Sequence, residues 1–254
     1  MAKEKINRIG ETGFNKMGSI MHISKYHSSN NIEVYFPNSN YLVKTSYNCF
    51  LSGSIKNPMD KTLFNIGYIG IGKYKVRDEF NKSTKIYSLW HSLLSRCYSK
   101  KFQIKKLTYI GCSVCEEWHN FQNFGKWCED NYYEVKDQIM HLDKDILLKG
   151  NKIYSPETCI FVPLHINEIF TKRQNHRGNY PIGVSVFKGK FRARCNTNTG
   201  LQKTIGLFNT PEEAFTAYKK YKENYIKYVA IQYKYIIPIK LYNALMIYEV
   251  NIND

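Results

Sequence analysis

The run from His141 to Asn167, HLDKDILLKGNKIYSPETCIFVPLHIN, collects the side chains best suited to chemistry in this chain. Its first six residues alternate. On an extended strand His141, Asp143 and Asp145 would share one face, and Leu142, Lys144 and Ile146 the other. Carboxylates and an imidazole on one face suit two tasks: ligands for a divalent cation, and a base that takes a proton from water. The same pattern also suits a solvated edge strand, whose charges deter pairing with other chains. His165 and Asn167 follow a few residues later and offer a second base and a further oxygen ligand. Cys112-Ser-Val-Cys115 has the spacing of half a zinc site, which Cys128 or Cys159 would complete. Buried free cysteine is the alternative.

Positioning these groups requires a strand from His141, a turn at LKGNK, a returning strand at IYSPETCIFVP and a helix opening at Pro163. Upstream, Tyr87, Trp90, Leu94 and Cys97 form one helical stripe, and Trp118, Phe121, Phe124 and Cys128 form another; both read as core. Residues 18–75 read as short strands with Asn, Ser, Gly and Pro between them, a small β-barrel or sheet. GYIGIG within them reads as a turn between strands, not a dinucleotide loop, because no glycine-opened helix follows. After a basic linker at 171–181 come three short strands and a helix. Thr210 is the N-cap of that helix, Pro211 its first residue and Glu213 the partner in a capping box. A last helix follows Pro238, docked by Leu241, Leu245 and Met246.

Charge points to the partner. Of 254 residues, 37 are Lys or Arg against 21 Asp or Glu, a formal charge of +16. Such an excess favours a polyanion, with nucleic acid foremost, since neutralised phosphates release counterions, and an anionic membrane surface as the alternative. No acid occurs between Glu168 and Glu212, where Lys172, Arg173, Arg177, Lys188, Lys190, Arg192, Arg194 and Lys203 lie. Alternation puts Lys190, Arg192 and Arg194 on one strand face and Phe191, Ala193 and Cys195 on the other. The apolar side would pack on the helix, leaving the cationic side open to a major groove. Seven cysteines spread along the chain read as reduced thiols. The absence of a long apolar span or signal pattern implies no membrane and a cytoplasmic location, the host cytoplasm if phage-encoded.

Two segments resemble known families. YPIGVSVFKGKFRARC…KTIGLFNTPEEAFTAYKKY is similar to the APETALA2-type DNA-binding domain, matching at Tyr180, Gly183, Gly189, Phe191, Ala193, Gly206, Phe208, Ala214 and Tyr218 among others. That resemblance implies a three-stranded sheet on one helix, seated on duplex DNA. Its family carries arginines on the first strand, where this chain has Ser185, Val186 and Phe187. The run from His141 resembles the ββα-metal finger of phage HNH nucleases, with Asp143 on the metal-binding acid, Gly150, Pro156 and Glu157 on the turn and second strand, and Asn167 on the helical ligand. The family's base histidine falls on Lys144 and its central asparagine on Thr158. A lysine of ordinary basicity is a poor base at neutral pH. His141 or His165 would therefore replace it.

The resemblance implies a metal-dependent endonuclease using Mg²⁺ or Mn²⁺ on Asp143 and Asn167, with Zn²⁺ on Cys112 and Cys115 as a separate possibility. The alternative is a DNA-binding protein that has lost the chemistry, regulatory or directed against host defence, and keeps the finger as scaffold. The expected fold is α+β. It comprises a β-rich N-terminal domain (1–80), a helical region with a ββα finger (81–172), and a three-stranded sheet plus helix with a helical tail (173–254).

Overall fold

Alternating apolar residues build the first layer. The computed structural model describes residues 7–170, 180–197, 202–252 and 254. Strands β1 (Thr12–Phe14), β2 (Ile20–Ser28), β3 (Asn31–Phe36) and β4 (Tyr41–Thr45) pair antiparallel in chain order. The sheet is open, so of the two expected forms it is the sheet and not the closed barrel that is present. Met21, Ile23, Ile32, Val34 and Phe36 form its buried face, covered by Phe50 and Ile55. Phe50 belongs to α1 (Tyr47–Leu51), whose cap, Ser46, accepts the Cys49 amide and ends the preceding strand.

The GYIGIG run joins no strand of this sheet. Gln122 holds it instead, donating its side-chain amide to the Ile69 and Tyr74 carbonyls while Oε1 accepts the Tyr74 N–H. A Cβ at Gly70 would collide with Asn120, and one at Gly72 with Gln122. These glycines permit close approach of backbone to side chain, which gives a structural reason for a motif that resembles a phosphate loop.

Both helical stripes are core. Helix α2 (Lys85–Tyr98), capped by Thr84, buries Trp90, Leu94 and Cys97. After α3 (Lys100–Lys105) and β5 (Ser113–Val114), α4 (Phe121–Asn131) buries Phe121, Phe124 and Cys128. Trp118 stands 4.7 Å from Trp127 and 5.1 Å from Phe124, and the Trp90 indole N–H donates to its carbonyl at 2.7 Å.

The chain divides into two compact units, Met1–Asp130 and Asn131–Asp254. The second unit holds β6 (Met140–Asp143), β7 (Ile153–Tyr154), β8 (Ile160–Pro163) and α5 (Leu164–Phe170). It continues with β9 (Val184–Phe187), β10 (Lys190–Asn196), β11 (Gln202–Phe208), α6 (Pro211–Gln232) and α7 (Ile239–Met246). The 22-residue α6, about 33 Å long at ~1.5 Å per residue, is its spine. The first half of α6 packs Ala214, Phe215 and Tyr218 against Ala193 and Cys195. Its second half packs Ile226, Val229 and Ala230 against Ile160, Val162 and Ile166 and against Leu241 and Leu245 of α7. Among the described residues, β8 and α5 on one side and β10 on the other therefore share α6 as a common wall.

Candidate nucleic-acid interface

The C-terminal sheet has the order β11-β10-β9, antiparallel throughout. A two-residue turn joins β9 to β10, with Lys188 at φ +50 and Gly189 at φ +74. Both residues are left-handed, as a type I′ hairpin turn requires. This turn fixes the register: Lys190 lies opposite Phe187, Arg192 opposite Ser185, and Ala193 opposite Val184. Facing residues share a side of the sheet, so Phe187 and Ser185 join the cations. On the other flank Arg192 faces Leu207, and a bulge after Ala193 brings Arg194 opposite Thr204.

Burial follows this division. Ala193 and Cys195 are fully enclosed beneath α6, whereas Lys190 is exposed and Arg192 and Arg194 are half-buried. The Arg192 guanidinium stacks on the Phe187 ring at 4.4 Å, and Lys188 Nζ lies 5.6 Å from the same ring. Arg194 donates to Gln202 Oε1 at 2.6 Å, which anchors its fork to the neighbouring strand. Burial, and after it the adjacent Arg192 charge, pulls the Arg194 pKa downward. Among the described residues no carboxylate lies within ion-pair distance of Lys188, Lys190, Arg192, Arg194 or Lys203, and Arg192 Nε has no hydrogen-bond partner.

The expected cations are not all on this face. Lys203 pairs with Cys195 and therefore lies on the helix side, its Nζ 5.4 Å from the Tyr221 ring. Lys172, Arg173 and Arg177 lie outside the described residues. Two further residues join this face beside the expected cations, Phe187 as the platform and Gln202 as the anchor. Once Lys188-Gly189 is read as a two-residue turn, pairing alone places Phe187 beside the cations.

The acidic segment is built differently from its sequence pattern. Strand β6 pairs with β8, His141 against Val162 and Asp143 against Ile160, but it ends at Asp143. There Asp143 Oδ1 accepts the amides of Asp145 and Ile146, both at 2.7 Å, and turns the chain. Alternation is lost beyond that point. Lys144 is buried, Asp145 is exposed, and His141, Asp143 and Asp145 do not form one face. Lys144 Nζ donates to Asp145 Oδ1 at 2.8 Å and to the Asn151 carbonyl at 2.6 Å, tying down the loop. Burial raises the Asp143 pKa, while the two amides and then Lys144 oppose the rise.

His141 Nε2 is enclosed with no hydrogen-bond partner among the described residues. His165, on α5, is exposed and meets the Tyr233 hydroxyl through Nδ1 at 3.3 Å; Gln138 also donates to that hydroxyl, at 2.6 Å. Asn167 is half-buried on the same helix. Among the described residues no group of three or more His, Cys, Asp or Glu side chains is arranged to hold a metal. Asp143 retains Oδ2 for a cation, but the Lys144 ammonium is next to it in sequence, and a like charge weakens such a site. Cys112 is buried, with Sγ 4.0 Å from the Thr108 carbonyl, and Cys115 is half-buried. No third ligand joins that pair among the described residues.

No family model, curated protein or solved structure matches the chain. No helix among the described residues is long and apolar enough to cross a membrane.

Proposed function

We propose that this protein binds double-stranded DNA through the open face of β9–β11, and that the β6–β8–α5 segment serves chiefly as the scaffold that braces it. The observation carrying this reading is Arg192, stacked on Phe187 with Nε unpartnered and no carboxylate near it. The Nε–H is enclosed, so the outer N–H groups of the guanidinium, for which no protein hydrogen bond is present among the described residues, are the ones that would meet a phosphate or a guanine edge. Arg194 and Lys190 extend the same face. The resemblance to the APETALA2-type domain supports the reading at Gly183, where the lack of a Cβ leaves room for the Tyr218 ring to pack on its backbone.

Fluorescence anisotropy with duplex DNA over a range of salt tests this. Arg192→Ala with Arg194→Ala is expected to weaken binding about ten- to a hundredfold and to flatten the salt slope by ~0.9 for each lost phosphate contact. Unchanged affinity and slope would remove this face from the interface.

A second reading, the HNH-like endonuclease, has one specific support: the unpartnered His141 Nε2, two residues from Asp143. In it Asp143 and Asn167 would hold Mg²⁺ or Mn²⁺, and His141 would be the base. The Asp143 turn and the buried Lys144 favour a structural role for the same segment. Plasmid nicking that requires a divalent ion and disappears in His141→Ala would reverse the preference.

A further inference from the structure

The first unit carries its own concentration of positive charge. From Phe80 to Cys115 there are seven lysines and arginines and no acidic residue. Four of them, Lys100, Lys101, Lys105 and Lys106, cluster on α3 and its C-cap. The inside of this knob is firmly built. Ser99 caps the helix by accepting the Phe102 amide, and Gln103 donates its side-chain amide to the Cys97 carbonyl at 2.7 Å. The Phe102 and Tyr109 rings meet edge-on at 5.7 Å. Arg96 stacks its guanidinium over Tyr109, also at 5.7 Å.

Its outside is unsatisfied. All four lysines are exposed, and among the described residues none has a carboxylate within ion-pair distance. Lys100 and Lys101 occupy the first turn of a helix, where the backbone dipole opposes cations. Lys101 and Lys105 are four residues apart, a like-charge spacing that destabilises a helix by a few tenths of a kcal/mol. Interleaved with them, Ile104, Leu107 and Ile110 are 77 %, 67 % and 56 % exposed. Cations at the positive end of this short helix, with apolar groups beside them in water, are a combination that a polyanion with apolar groove walls would complement.

We infer that this knob is a second duplex-DNA contact, with the four lysines on phosphates and Ile104 and Leu107 against the sugar edges of a groove. A duplex fits better than an anionic lipid surface. Three apolar side chains, Ile104 on the helix and Leu107 and Ile110 just after it, bury too little hydrocarbon for stable membrane anchorage. Lysines with small apolar contacts suit a phosphate-lined groove. The inference rests on the reading of the chain as a duplex-binding protein, and it adds an arm in the other unit.

The test uses the full chain in three forms: wild type, the quadruple variant Lys100→Gln, Lys101→Gln, Lys105→Gln and Lys106→Gln, and the Arg192→Ala, Arg194→Ala variant. Each is titrated with random-sequence duplex across salt, and with vesicles containing phosphatidylserine. The quadruple variant is expected to lose about tenfold or more in duplex affinity and to show a slope shallower by ~0.9 per lost phosphate contact. These exposed substitutions leave the internal packing intact, which an unchanged circular dichroism melt verifies. If the quadruple variant binds duplex like wild type while the arginine variant does not, the knob is no interface and the sheet reading stands. If wild type ignores duplex altogether, both fall. If the variant loses vesicle binding but keeps duplex binding, the knob is a lipid contact and the inference is overturned.

Discussion

At the scale of single residues, Asp143 does structural work where β6 ends. Its carboxylate closes a turn by accepting two amides, and burial raises its pKa. A raised carboxyl pKa means that the folded chain holds the proton more tightly than the unfolded one. Asp143 therefore contributes least once pH has risen through that raised value. Asp143→Asn keeps an Oδ1 acceptor and removes the buried charge, so it should match or exceed wild-type stability at neutral pH and lose that advantage in acid. Asp143→Ala removes the acceptor and should cost on the order of 1–2 kcal/mol. Thermal melts of both variants at acid and neutral pH separate these outcomes.

Lys222 offers a second residue-level check. It is buried on α6, near enough to Cys195 for an electrostatic interaction, and burial lowers its pKa. The unfolded chain then binds the extra proton between the lowered and the ordinary value, so wild-type stability rises with pH across that window. Lys222→Met should stabilise the protein by about 1 kcal/mol at neutral pH, with the gain shrinking toward alkaline pH. A melt series that shows no gain at neutral pH would count against a desolvated ammonium.

Among the elements, the β9–β10 hairpin and α6 do most to orient the cationic face. Gly183 has φ +79, and a Cβ there would collide with the Tyr218 ring. The Gly183 carbonyl also accepts the Arg194 amide at 2.8 Å, so the same residue links helix packing to arginine placement. Gly183→Ala should destabilise by roughly 2–3 kcal/mol through strain and overpacking. Duplex affinity should fall with it even where the variant remains folded. Urea denaturation gives the first quantity and anisotropy the second. The helix was readable in advance because Thr210, Pro211 and Glu213 form a complete capping box, observed with both reciprocal hydrogen bonds. The path of GYIGIG lay beyond local pattern, because composition says nothing of Gln122, about fifty residues away, which binds that backbone.

For the whole molecule, the excess of +16 is consistent with strong, salt-sensitive association with polyanions. The endonuclease alternative is decided at this scale too. Incubating the full chain with supercoiled plasmid and Mg²⁺ or Mn²⁺ should leave the plasmid intact if β6–β8–α5 is a scaffold. Nicking that survives in Asp143→Ala would assign the activity to a contaminant, whereas nicking abolished by both His141→Ala and Asp143→Ala would restore the HNH reading.

Local patterns by themselves determined the two aromatic helical stripes, the capped helix from Pro211, the α+β class and the split of β10 into cationic and apolar sides, because each depends on periodicity or on neighbours within a few residues. Tertiary structure decided the rest. Alternation could not reveal that the strand from His141 stops at Asp143, since that depends on where a carboxylate finds its donors. Nor could it show that Lys203 turns to the helix, because register is set by a distant hairpin and a bulge. That one helix walls both halves of the second unit also lay beyond the sequence: burial is a property of surfaces brought together, and no single segment contains it.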